Sequence, residues 1–88
     1  MPAIFFTYIL YSKNKSRYYI GSTGDQLSER IRRHNTNHKG FTGGAGDWDL
    51  VYKEEHFDKG IARKREMEIK SWKSRVKIAK LIMEQKLE

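Results

Sequence analysis

Apolar positions along this chain follow two periods that change over at recognisable boundaries. Residues 4–11, Ile-Phe-Phe-Thr-Tyr-Ile-Leu-Tyr, are almost all β-branched or aromatic. A run this dense and this short predicts a strand buried on both faces. Ser12 to Arg17 is polar, with Asn14 at its middle, and reads as a turn. Tyr18 to Ser22 is again aromatic and β-branched, which makes it the return strand of a hairpin. The connection exceeds the tight two-residue type, so turn chemistry alone does not set the register. Gly21 and Gly24 bracket Ser22 and Thr23 and end the strand.

The period then lengthens. Asp25 is the expected N-cap of a helix with Glu29 in its first turn. Leu27, Ile31 and His34 recur at i, i+4 and i+7 on one face. Arg30 lies beside that face, one turn before His34, and the helix is expected to end between Asn35 and His38. Residues 38–47 carry Gly40, Gly43, Gly44 and Gly46 and read as a loop. In a third strand, Trp48 to Phe57, the residues Trp48, Leu50 and Tyr52 alternate with Asp49, Val51 and Lys53, and Glu54 and Glu55 fall towards an exposed end. Asp58 is the expected cap of a second helix whose stripe is Ile61, Ala62, Ile69 and Trp72, running to about Lys73. Ser74 is expected to cap a third, with Val76, Ala79, Met83 and Leu87 in line and Leu81 and Ile82 off that line. The order β-β-α-β-α-α, without repeats, linkers or low-complexity segments, predicts one small α+β domain over residues 1–88.

Composition narrows the function. With 38% hydrophobic and 33% charged residues, the 88-residue chain supports one small core and is no disordered tail. No stretch approaches the roughly 18–20 apolar residues of a membrane span. The run at Ile4 to Tyr11 has no basic segment before it and no small-residue cleavage site after it, so a secretory signal is not expected. The absence of cysteine excludes disulfides, thiol catalysis and thiolate metal sites, and fits a cytoplasmic protein. The net charge of +7 is unevenly placed. Up to Asp58 there are eight basic and seven acidic residues, whereas residues 59–80 hold nine basic and two acidic ones. Such a segment concentrates phosphate-bearing partners, although it also serves as the solvated face of a small protein.

Five side chains bear on chemistry. Tyr8 and Tyr19 stand on adjacent strands of the hairpin, and Arg30 and His34 share the helix that follows. Singly, each has a plain role: strand tyrosines pack cores with a hydroxyl at the edge, and Arg30 with His34 makes a basic helix edge. Taken together they suit a phosphate. A guanidinium binds phosphate oxygens bidentately, and an imidazole one turn away bonds the same phosphate or moves a proton. Glu66 lies in the most basic stretch, where it reads as an i,i+4 ion pair with Lys70. Helical projection also sets it beside Ala62 and Ile69, at the margin of the apolar stripe, where a carboxylate can face a cleft.

The ordered set Tyr8-Ile9, Tyr19-Ile20-Gly21, Arg30 with His34 and Asn35, and Glu66 resembles the GIY-YIG nuclease superfamily, in particular its small stand-alone bacterial branch. The resemblance runs from about Phe5 to about Ile82. It includes Glu-Arg-Ile-Arg-Arg-His-Asn on the first helix, Trp-Asp-Leu-Val-Tyr in the third strand and Ala-Arg-Lys-Arg-Glu-Met-Glu-Ile-Lys at 62–70. Phe6 and Thr7 depart from the Gly-Ile of the family's first tripeptide, while Tyr8 remains. The resemblance implies a three-stranded, mostly antiparallel sheet flanked by helices and a divalent-metal-dependent endonuclease acting on DNA more readily than RNA. It makes Tyr8 the candidate to activate water and Tyr19 the residue that positions water or phosphate. Arg30 would steady the scissile phosphate, His34 would lie near the nucleophile, and Glu66 would bind Mg²⁺ or Mn²⁺. It leaves open which group is the base. A separate recognition domain is not expected, so sequence preference is expected to rest on the domain itself, on dimerisation or on a partner.

Other features stay secondary. Lys39 and Thr42, in the glycine-rich loop, are candidate phosphate contacts near the substrate cleft, and Arg33 and Lys70, with Arg32, Lys73, Arg75 and Lys77, offer a general phosphate-binding surface. His34 with His38 is the one close histidine pair and lacks a third ligand, so zinc is not expected, and His38 and His56 read as surface residues. Trp48 and Trp72 read as core. The sequence also supports two alternatives: a non-catalytic nucleic-acid-binding module on the same scaffold, and an interaction domain that forms a homodimer through the last helix.

Overall fold

The structure, a computed structural model, describes residues 3–36 and 43–86. Strands β1 (Phe5–Ser12), β2 (Arg17–Thr23) and β3 (Trp48–His56) form one sheet in the order β2-β1-β3, antiparallel throughout. Helices α1 (Leu27–Thr36), α2 (Lys59–Ser71) and α3 (Arg75–Lys86) complete the α+β order that the sequence predicts. The central place of β1 explains its unbroken apolarity, because Thr7 to Leu10 are buried on both faces.

The hairpin closes through four residues, with Ser12 opposite Arg17 and Ser16 at φ 53°. Its register is fixed from outside the turn. The Ser12 hydroxyl accepts the Lys15 N–H at 3.1 Å and donates to Asp47 Oδ1 at 2.6 Å. Asp47 Oδ2 accepts the Asn14 N–H at 2.9 Å. The Ser12 bond, joined by the Asn14 N–H, holds the Asp47 carboxyl below its usual range.

Two cores flank the sheet. On one face Ile9, Ile20 and Tyr52 meet Ile69 of α2 and Ile78 and Ile82 of α3. On the other, Tyr8, Leu10 and Trp48 pack with Tyr19 and with Leu27 and Ile31 of α1. β3 serves both because it is bulged: Tyr52 opposes Ile9, whereas Leu50 opposes Leu10, leaving Val51 between them. The simple alternation expected for β3 therefore breaks at Val51, and Leu50 is exposed.

Other local expectations divide along similar lines. Asp58 accepts the Ile61 N–H and caps α2, and Ser74 Oγ accepts the Lys77 N–H at the start of α3, as expected. α1 begins one residue later than its predicted cap, since the Gln26 carbonyl receives the first helical bond from the Arg30 N–H. α2 buries Ala62 and Ile69 but leaves Ile61 exposed, and it ends at Ser71 with Lys73 in the left-handed region at φ 47°. α3 buries Ile78 and Ile82, not the predicted line: Val76, Ala79 and Met83 face outward, and Leu87 lies outside the described residues. The Gln85 amide chooses that face by pairing with the backbone of Lys53, donating to its carbonyl at 2.7 Å and accepting its N–H at 3.4 Å. Glu54 is not at an exposed end. It takes hydrogen bonds from Tyr52 and Arg65 and pairs with His56, which is itself half-buried.

Candidate active site

Strand register brings the two tyrosines to one face. Tyr8 opposes Gly21 and Leu10 opposes Tyr19, so both phenols rise on the α1 side, with ring centroids 6.3 Å apart. Gly21 is required by this approach: a Cβ there would lie 2.7 Å from the Tyr8 hydroxyl. The phenol thus passes over β2, which among the described residues is an edge strand of the sheet.

α1 closes over these rings. Arg30 and His34, one turn apart, converge on the same oxygen. His34 Nε2 lies 3.1 Å from the Tyr8 hydroxyl, and Arg30 Nε donates to it at 3.4 Å. The His34 ring also packs against Tyr19, with centroids 4.6 Å apart. Tyr8 is 0% exposed. Burial pushes its phenol above the ordinary range, the Arg30 hydrogen bond pulls the other way, and the charges of Tyr19 and Glu66 add to the rise. Burial lowers the basicity of His34 and the neighbouring Arg30 charge lowers it further. At neutral pH the site therefore holds a neutral phenol against a neutral imidazole beside a fixed cation.

Glu66 approaches from α2, on the far side of the same strand. Ser22 Oγ, the residue after Gly21, donates to Glu66 Oε1 at 2.6 Å, and Lys70 Nζ donates to Oε2 at 2.6 Å. The carboxylate side chain is 16% exposed. Its partners Lys70 and Ser22 each line a cavity along β2. One of about 360 Å³ is lined by Tyr18, Tyr19, Ile20 and Lys70, and one of about 40 Å³ by Phe5, Ser22, Thr23, Gly24, Lys59 and Ala62.

The structure thus brings Arg30 and His34 to the Tyr8 hydroxyl, with the Tyr19 ring packed against His34 and with Glu66 and Lys70 across the strand. Arg33 stands apart, half-exposed, 3.6 Å from Glu29 and 3.7 Å from Asp25. Lys39, Thr42 and His38 lie outside the described residues. Trp48 is buried in the core, and Trp72 is half-buried beneath the Arg65 guanidinium. Four positions have roles that the sequence does not announce. Ser22 orients Glu66, and its only signal was adjacency to Tyr-Ile-Gly. Gly21 makes room for Tyr8. Asn35 clamps α1 to β3, its amide donating to the Trp48 carbonyl at 3.1 Å and accepting the Trp48 N–H at 2.7 Å. Thr7, where the sequence departs from the first tripeptide, donates to the Ala62 carbonyl at 2.8 Å and ties β1 to α2.

A model of the GIY-YIG catalytic domain matches residues 4–79. Among solved structures the chain is similar to the solution NMR structure of the UPF0213 protein BH0048 from Bacillus halodurans. The two share 30% sequence identity at a TM-score of 0.56, over 91% of this chain and 83% of that one. None of the curated proteins matches. Among the described residues no helix is long and apolar enough to cross a membrane.

Proposed function

The chain belongs to the GIY-YIG catalytic-domain family, and from that premise we propose that it is an endonuclease hydrolysing phosphodiester bonds in DNA with the help of Mg²⁺ or Mn²⁺. The observation that carries this reading is the Tyr8 hydroxyl, shared between Arg30 and His34, with Glu66 held by Ser22 across one strand edge. A core-packing tyrosine has no need of a guanidinium and an imidazole on one oxygen.

Each group has a distinct task. Tyr8 takes a proton from the attacking water as its own proton passes to His34 Nε2, 3.1 Å away. The neutral imidazole is the member of the pair that can hold a proton at neutral pH, since the phenol already carries one. Arg30 stabilises negative charge that builds on the Tyr8 oxygen and on the phosphate. Tyr19, packed on His34, borders the phosphate path and the larger cavity.

The donor set around Glu66 fits a hard divalent cation. One half-buried carboxylate, backed by a hydroxyl and facing a half-exposed lysine, suits ions that keep several waters and share phosphate oxygens. Among the described residues no three His, Asp or Glu side chains gather into a closed cage. When bound, the cation supplies charge neutralisation at the scissile phosphate. Ser22 holds Glu66 towards that position.

Cleavage of plasmid, branched and single-stranded DNA in Mg²⁺ or Mn²⁺ tests the reading. Wild-type protein is expected to cut at least one of them, and Glu66→Gln, which preserves the Ser22 bond, is expected to lose about a thousandfold or more. Equal cutting by both proteins on every substrate would overturn the assignment. Salt-dependent binding without metal-dependent turnover would favour a binding module instead.

A further inference from the structure

The two oxygens of Glu66 are held by donors of different character. Ser22 is a short, neutral hydroxyl fixed to a strand. Lys70 is a cation on a four-carbon arm, its side chain 49% exposed. An i,i+4 pair with Glu on the N-terminal side forms readily on any helix. Two facts set this one apart. Its carboxylate is largely buried and cross-linked to a second element. Its lysine also lines the cavity of about 360 Å³ beside Tyr19. From one backbone position the ammonium thus has two places to go.

We propose that Lys70 is a resident counter-ion, standing on Glu66 in place of the divalent cation and surrendering the carboxylate when cation and substrate arrive. Its ammonium then turns into the cavity beside Tyr19 and meets a phosphate of the bound strand. The proposal rests on Glu66 being the metal-binding carboxylate. An ammonium and a divalent cation on one carboxylate repel each other, so they compete for Oε2. The lysine end of the pair is half-exposed, so its ammonium can leave into solvent without moving the carboxylate, and a phosphate contact replaces the bond. Ser22 stays on Oε1 throughout, so the carboxylate keeps its orientation while its second partner changes.

The experiment titrates Mn²⁺ into DNA-free protein by calorimetry. Lys70→Met keeps the arm and removes the charge, and is expected to bind Mn²⁺ about fivefold more tightly than wild type. Lys70→Gln serves as a second neutral variant and is expected to do the same. In the Glu66→Gln background, adding Lys70→Met is expected to reduce the slope of log binding constant against log salt by about one for a DNA oligonucleotide. Unchanged or weaker Mn²⁺ binding in both neutral variants, or an unchanged salt slope, overturns the proposal alone, provided Glu66→Gln abolishes Mn²⁺ binding. If Glu66→Gln leaves Mn²⁺ binding intact, the metal-site reading falls and this proposal falls with it.

Discussion

Tyr8 and Tyr52 are both buried, both lifted above the ordinary phenol range, and placed on opposite faces of one sheet, yet their neighbours give them different uses. Tyr52 donates to Glu54, which Arg65 also holds. Burial and that carboxylate push its phenol up to about 12, so the proton stays where it is. Tyr8 faces Arg30, which favours the phenolate, and His34, which accepts a proton. The rest of each face follows suit. Around Tyr52 the packing is isoleucine against isoleucine, whereas around Tyr8 it is ring against ring. Burial makes a tyrosine reluctant to ionise in either place; the neighbouring group decides whether the hydroxyl is a strut or a proton carrier.

The sharpest way to break this contrast is to remove each hydroxyl. Tyr8→Phe is expected to lower DNA cleavage by about 10²–10⁴-fold. Tyr52→Phe is expected to leave cleavage per folded molecule unchanged and to cost about 1–3 kcal/mol in urea unfolding, because Glu54 loses a donor. A tenfold or larger cleavage loss in Tyr52→Phe would erase the distinction. Packing gives the next effect. Ile69→Ala, fully buried on the aliphatic face, is expected to cost about 2–5 kcal/mol. Ile31→Ala, half-buried over the tyrosines, is expected to cost about 1–2 kcal/mol. The same denaturant titration reads both, and an inverted order would put the stability on the wrong face. Gly21→Ala presses on the Tyr8 hydroxyl and is expected to cut activity about 10–100-fold while the protein stays folded by circular dichroism.

The smallest effect is the pH response. His34 is less basic than its ordinary 6.5. Cleavage that needs the neutral imidazole therefore rises through a midpoint below that value and is level at pH 7, with the rate profile as the check. Stability follows the same sign. Between the folded and unfolded values the unfolded chain binds the extra proton, so folding weakens as pH falls through that window. A midpoint above the ordinary value would mean that an acid, not Arg30, governs His34.

Much of this was legible in the sequence. The hairpin, the helix caps at Asp58 and Ser74, and the placing of Arg30 and His34 on one helix face follow from local chemistry that acts within a few residues. The features that local sequence does not reveal depend on contacts made at a distance. The outer line of α3 and its buried line are both apolar, so periodicity does not choose between them; Gln85 against Lys53 does. Glu54 reads as a terminal surface acid until α2 brings Arg65 over it. Gln26 takes the cap position expected of Asp25, which lies one residue earlier, in the turn, with its N–H donated to Thr23 Oγ1. At the site, the residue types were recognisable, but the Ser22 tether on Glu66 joins positions 44 apart, and no spacing rule points to it.

Val51 is one residue more than its ladder needs, and that surplus sets the parity of the strand. Remove it and everything before it in β3 turns over: the Trp48 indole would swing towards the isoleucines, and the backbone that Asn35 grips would slide by one step. Many side chains would serve at position 51, but a gap would not. The two-sided arrangement of this small protein is therefore written partly as a number, the length of the run from Trp48 to Tyr52, and only partly as an alphabet.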